Sequence, residues 1–272
     1  MLTSLIVTTY NWPEALQLVL QSVIVQSVTP DEVVIADDGS GPETAHVVRD
    51  TLGSTKLRWA HVRHADRGVR QSRIKNLAVK FSAGDYLIFV DHDVVLHPCF
   101  VEDHLSMACP GSFLQGKRVL LDAKFTGDAV SKGFFRAPTV CTRGLGNRKN
   151  GCRLPYIGKL LARPKEFERS LRGCNLSLFR DDFIRVDGFD ETFDGSWGRE
   201  DSDICYRLFH AGVSVRTLWF MALQYHLFHQ VVTNWERARL DSELERNLSE
   251  RRTRAVKGFS CLSSEGGLVA GS

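Results

Sequence analysis

The chain has 272 residues, 43% of them hydrophobic and a quarter charged, with a formal net charge of +3, so it can bury one substantial core. That small net charge argues against a nucleic-acid partner, and no apolar run reaches membrane-spanning length. Seven cysteines, an odd number without a CxxC pair, match neither a structural zinc site nor a complete disulfide framework, so reduced thiols in a cytoplasmic compartment are expected, with no secretory leader at Met1 to Val7.

Leu2 to Thr9 reads as a first strand, and Pro13 sits where the first turn of a helix accepts it. Leu16, Val19, Leu20, Val23 and Ile24 recur at helical spacing and predict one apolar stripe packed on a sheet. A second strand starts at Glu32. A helix over about 42–52, a strand near 57–62, a helix over about 71–81 and the apolar run Tyr86 to Val90 follow. Strand and helix alternating at this pitch predict an α/β fold with a doubly wound, mostly parallel sheet flanked by helices. Beyond Asp93 the pattern changes. Helix is expected over 99–109, extended chain over 116–122, and loop or weak helix through a basic stretch ending at Arg172. Asn175 to Phe179 reads as a strand returning to the sheet, Asp181 to Val186 as a short helix ended by Gly188, and a helix opens at Glu200 or Asp201. Gly212 stops that helix, 213–223 is extended, a mixed-charge helix covers about 234–254, and 266–272 is expected to fray.

The chemistry concentrates where strands end. Asp91-His92-Asp93 follows the buried run 86–90, and Asp37-Asp38-Gly39-Ser40 follows the strand from Glu32. Ligands of open α/β sheets bind beyond the carboxyl ends of the strands, and paired carboxylates there suit Mg²⁺ or Mn²⁺ holding a diphosphate. Taken alone, an Asp-x-Asp after a strand often only caps a turn; two acidic exits on one edge make a site.

Thr8-Thr9-Tyr10-Asn11, Asp37 to Ser40, Ala83-Gly84-Asp85-Tyr86, Asp91-His92-Asp93, Gly188-Phe189-Asp190-Glu191 and Trp197-Gly198-Arg199-Glu200-Asp201, in that order, resemble a family 2 glycosyltransferase of GT-A fold over residues 2 to about 230. From Gly188 to His229 the chain also resembles the C-terminal half of β-1,4-galactosyltransferases and of chondroitin-type polymerases. The resemblance implies a catalytic domain over about 1–230, with a nucleotide-binding half (about 1–95) and an acceptor-binding half (about 96–230), followed by a helical extension and frayed tail over 231–272.

It also implies roles. Thr8 and Tyr10 would frame uracil, Asp38 would bind base or ribose, and Lys75 and Asn76, with Arg73 beside them, would lie near the diphosphate. Asp93 would ligate the metal, and Asp91 would contact ribose or orient a coordinated water. His226 and His229 match the Met-x-x-His of galactosyltransferases with His in place of Met, and would complete the metal site. Asp201 would be the general base of an inverting transfer from a UDP-sugar, with Glu200, Trp197 and Gly198 on the sugars and Asp190 lining the acceptor cleft; Arg199 replaces the usual Gly. Acidic residues at 200, 201 and 203 also suit a helix N-terminus for purely structural reasons.

Two surface features remain. The basic stretch 132–172, which includes Arg169, is a candidate for phosphate groups on a lipid-linked or phosphorylated saccharide acceptor, and the arginines of the terminal helix are candidates for peripheral contact with an anionic membrane. Bacterial surface polysaccharide or lipopolysaccharide assembly is the expected setting. A sugar-phosphate nucleotidyltransferase is the first rival, though Thr8 to Pro13 lacks the glycine-rich phosphate loop such an enzyme wants; a non-catalytic nucleotide-sugar binding subunit is the second.

Overall fold

The computed structural model describes all residues except 169–170, 231–235, 264 and 272. Arg169 and the expected helix start near Asn234 lie outside the described residues.

The chain opens with β1 (Thr3–Thr9), α1 (Pro13–Ile24), β2 (Glu32–Asp37), α2 (Pro42–Leu52), β3 (Trp59–Arg63), α3 (Gln71–Phe81) and β4 (Tyr86–Asp91). Every residue of β1 and β2 is buried, as parallel strands covered on both faces must be. There follow β5 (Val94–Leu96), α4 (Phe100–Met107), β6 (Ser112–Gly116), β7 (Val119–Leu120), α5 (Ala123–Lys132), α6 (Pro155–Leu161), β8 (Leu176–Phe179), α7 (Arg180–Arg185), α8 (Glu200–His210), β9 (Ser214–Leu218), β10 (Gln224–His226), α9 (Arg237–Ser249) and β11 (Gly267–Gly271).

Eight strands form one sheet in the order β11-β3-β2-β1-β4-β8-β6-β9, and β5-β10-β7 form a second. The pairs among β1, β2, β3 and β4 are parallel, as is β6 with β9, while β8 runs antiparallel to both β4 and β6. Two apolar layers cover the large sheet. One gathers Leu16, Val19, Leu20 and Val23 of α1 with Val48 and Leu52 of α2 and Phe100 of α4. The other gathers Ile74, Leu77 and Ala78 of α3 with Phe183, Phe189, Ile204 and Leu208. No helix among the described residues is long and apolar enough to cross a membrane.

Three expectations need correction. Residues 123–132 form a regular helix: the Asp122 carboxylate accepts from the Phe125 N–H at 2.8 Å, and Gly133 closes the helix at φ +59°, an N-cap and C-cap pair that the basic composition downstream obscured. The terminal helix ends at Ser249, well short of 254. The tail does not fray, since β11 pairs antiparallel with β3, with Leu268 opposite Val62. Leu268 to Ala270 is an apolar run too short, between glycines, to announce a strand, and the open edge of β3 supplies the hydrogen-bond partners.

Candidate active site

Strand register carries the carboxylates to one edge. β1 lies between β2 and β4, with Thr9 opposite Asp37 and Thr8 opposite Asp91. The Asp38 and His92 N–H groups extend the two ladders by donating to the Thr9 and Thr8 carbonyls. An open cleft of about 540 Å³ begins here, lined by Thr8, Tyr10, Asp91, Asp93, Trp197, Gly198, Glu200, His226 and His229. Those nine expected residues, drawn from both halves of the chain, line one cleft. Trp12 and Arg118 also line the cleft and were missed. Trp12 sets its ring edge-on to His92 and His229, with centroids 6.1 and 6.4 Å away; an aromatic between a strand exit and a helix-starting proline was its available signal. Arg118 sits between β6 and β7 with no local signal at all.

β10 supplies the metal-ligand candidates. It runs antiparallel to β5 with His226 opposite Val94, and the Leu227 N–H donates to the Asp93 carbonyl. Asp93 Oδ2 thereby lies 3.3 Å from His226 Nε2 and 3.1 Å from His229 Nε2, and one ligand atom from each residue falls within 4.8 Å of the others. Burial pushes the Asp93 carboxyl up, but the hydrogen bonds from the two imidazoles outweigh it and hold the group well below the usual range. The same bond to Asp93 raises His229 against the effect of burial. Asp93 Oδ1 is buried without a partner among the described residues. One carboxylate with a spare oxygen and two imidazoles fit a divalent cation such as Mn²⁺.

Asp91 joins this cluster to the next. Loss of solvent pushes its carboxyl up to about 7; Lys75 opposes that rise, while Asp93, Asp201 and Glu200 reinforce it. Lys75 is buried, and its ammonium faces carboxylates without lining the cleft. Its Nζ lies 3.2 Å from Glu200 Oε1, 3.1 Å from Asp201 Oδ1 and 4.9 Å above the Phe189 ring. Burial would lower this ammonium, yet Asp201, Glu200 and Asp91 together raise it, so it stays a fixed cation.

The turn before α8 places the two acids. Gly198 and Arg199 adopt φ of +101° and +79°, so the chain reverses and Glu200 and Asp201 open the helix. Arg199 holds a conformation suited to glycine, and its guanidinium is anchored on Asp241 of α9. Asp201 Oδ2 accepts from the Gly173 N–H at 2.7 Å, and its side chain is 24% exposed. It faces a second pocket, lined also by Leu171, Arg172, Arg199 and Ser202, which shares Trp197 and Gly198 with the first. A carboxylate offers about four lone-pair sites; with two occupied, Asp201 retains capacity toward that pocket. Burial raises the Glu200 carboxyl. Asp203 turns inward to Arg207 and Asn247.

Other expected residues have structural duties. Asp190 is fully buried and accepts from the backbone N–H groups of Thr192, Val256 and Lys257, so it lines neither pocket. Arg73 donates to Ser263 Oγ and the Glu265 carbonyl, and Asn76 clips the backbone of Phe189 through both its amide N and O. Asp38 is buried and not among the residues lining the cleft, with Oδ1 2.6 Å from His64 Nε2 and Oδ2 accepting from the Arg70 N–H.

Residues 4–155 match the model of glycosyl transferase family 2, and residues 159–230 match that of an N-terminal domain of galactosyltransferase. Hyaluronan synthase of Pasteurella multocida is 26% identical over 231 residues, covering 79% of this chain and 23% of that protein. Validoxylamine A glucosyltransferase of Streptomyces hygroscopicus subsp. limoneus is 28% identical over 243 residues, covering 84% and 53%. Chondroitin synthase of Escherichia coli is 26% identical over 241 residues, covering 82% and 34%. The chain thus spans about half or less of the length of these relatives. Among solved structures, S. aureus TarS superposes with a TM-score of 0.63 at 18% identity, over 92% of this chain and 39% of that one. The mannosyltransferase PcManGT from Pyrobaculum calidifontis, in complex with GDP-Man and Mn²⁺, superposes with a TM-score of 0.58 at 17% identity, over 84% and 57%. The fold is of GT-A type, and with one family model spanning more than half of its residues, the chain belongs to glycosyltransferase family 2.

Proposed function

We propose that the protein is an inverting, metal-dependent glycosyltransferase that moves a hexose or N-acetylhexosamine from a UDP-sugar to a saccharide acceptor, free or lipid-linked, in bacterial surface polysaccharide or lipopolysaccharide synthesis. The observation that carries this reading is that the Asp93, His226 and His229 cluster and Glu200 line one cleft, next to Asp201 in the adjoining pocket. In the proposed reaction the acceptor oxygen forms a bond to the anomeric carbon as the bond from that carbon to the diphosphate oxygen breaks. The electron pair leaves with the diphosphate, and the acceptor proton passes to Asp201. A divalent cation at Asp93, His226 and His229 would neutralise the leaving diphosphate. Thr8, Tyr10 and Trp12 would border the nucleoside, with Asp38 buried behind them toward base or ribose, while Asp91 would meet ribose or a bound water. Trp197 and Gly198, common to both pockets, would meet the sugars. Lys75, ion-paired with both acids, fixes them in direction.

Isothermal titration with UDP in the presence and absence of Mn²⁺, together with a UDP-sugar hydrolysis screen, tests the reading. Metal-linked UDP affinity is expected, and its absence would remove the donor half of the proposal. Asp201→Asn should lower turnover by about 10²- to 10⁴-fold while leaving UDP affinity close to wild type. Equal donor hydrolysis by the two proteins would point to a binding subunit.

A further inference from the structure

From Ala129 to Lys165 the chain carries nine lysines and arginines and not one aspartate or glutamate. Inside this segment, α6 presents Tyr156, Ile157, Leu160 and Leu161 at 89%, 47%, 67% and 46% exposure. Positions 156 and 160, like 157 and 161, are one helical turn apart and so share a face. The opposite side of the helix is pressed onto the turn after β9. A Cβ at Gly158 would stand 2.5 Å from the Trp219 carbonyl oxygen and 2.5 Å from Met221 Cγ, and the Leu154 N–H donates to the Phe220 carbonyl. The apolar side chains therefore point outward from a rigid seat.

Cations border that face. Lys149 Nζ lies 5.3 Å over the Trp219 ring, and Lys159 and Arg163 are exposed beside the apolar residues. Among the described residues none of these three forms an ion pair, although Arg153 and Lys165 nearby do, with Asp103 and Glu168. The terminal helix, the other candidate for membrane contact, differs in this respect: Arg237, Arg239 and Arg246 are matched by Asp241, Glu236 and Glu243, and Arg252 just beyond it by Glu250. Cations held in ion pairs attract anionic lipid weakly, whereas Lys149, Lys159 and Arg163, outside any such pair among the described residues, keep more of their attraction even with Glu102 in electrostatic reach of Lys159.

We propose that α6 and its basic border form a membrane-docking surface for an anionic lipid bilayer. The aliphatic side chains and Tyr156 enter the boundary between headgroups and acyl chains, while Lys149, Lys159 and Arg163 lie among the headgroups with their stems along the apolar surface. A second copy of the chain is disfavoured as the occupant, because this face would set cation against cation with no acidic residue in the segment to offset them.

The test is flotation of the full chain with vesicles of phosphatidylcholine alone or mixed with phosphatidylglycerol, without nucleotide or acceptor. Binding is expected to the mixed vesicles and should weaken with salt. The double substitutions Ile157→Ser with Leu160→Ser and Lys159→Glu with Arg163→Glu should each lower partitioning by about tenfold or more, with circular dichroism unchanged because all four side chains are exposed. Arg246→Glu on the terminal helix should leave partitioning as it was. Failure to float, or flotation of either double variant equal to that of wild type, would overturn the proposal. So would a dimer in solution that Ile157→Ser with Leu160→Ser dissolves, which would assign the face to a second copy. The assay reads no turnover, so its failure and that of the proposed reaction are separable.

Discussion

Asp201 owes its direction to two neighbours, the Lys75 ammonium and the Gly173 N–H, and the second leaves no room for a side chain. A Cβ at Gly173 would stand 2.0 Å from Asp201 Oδ1, so Gly173→Ala must turn the carboxylate away. Turnover should drop by about 10²-fold, the scale of a 1 Å misplacement of a reacting group, while UDP affinity stays near wild type; comparing kcat with a UDP titration separates the two. His104 makes a different prediction. Its Nε2 lies 2.9 Å from Asn175 Oδ1 and its Nδ1 2.8 Å from Ser177 Oγ, and burial pushes the imidazole down to about 4 even though the bond to Asn175 opposes this. A histidine depressed below its unfolded value of about 6.5 contributes stability that is complete above that pH and is lost as pH falls toward the folded value. Denaturant midpoints should therefore decline between about pH 6.5 and 4, and His104→Gln should flatten that decline.

Elements were legible in proportion to the regularity of their patterns. The alternation through β4 stands in the sequence because buried parallel strands are continuous apolar runs and α1 repeats with helical period. β11 was not legible, since an edge strand of glycine and a few apolar residues takes its order from a partner elsewhere in the chain. Removing residues 264–272 should expose the edge of β3 and withdraw Glu265 from Arg67, Arg70 and Arg73. A loss of about 1–3 kcal/mol is expected, within the ordinary range for removal of native contacts, read as a lower thermal midpoint. The turn into α8 was legible as Trp-Gly-x-Glu-Asp but not in its hinge. Arg199 at φ +79° shows that the backbone needed a left-handed residue there, and the bond to Asp241 indicates what the arginine does in place of glycine.

Across the whole molecule the two halves of the chain meet at the metal-ligand cluster, Asp93 from one and His226 and His229 from the other. A cation bound there would belong to the native state alone, so Mn²⁺ should raise the thermal midpoint, by the equivalent of about 2.7 kcal/mol at a hundredfold excess over its dissociation constant. Chelator should reverse the shift and His226→Ala should abolish it; an unchanged midpoint for wild type would count against the site. The carboxylates after β2 and β4 and the Glu200-Asp201 pair could be located in the sequence because each follows a local pattern of strand exit or helix start. Lys75, Arg73 and Asp190 could not be assigned that way. Lys75 meets Glu200 across 125 positions of chain, and Asp190 meets Val256 across 66. Local sequence thus determined the elements, their alternation and the chemical types at their ends, because strand, helix and turn preferences act over a few residues. Tertiary structure alone decided which charges face the cleft and which are buried in partnership, because desolvation and ion pairing depend on neighbours brought together only when the sheet closes.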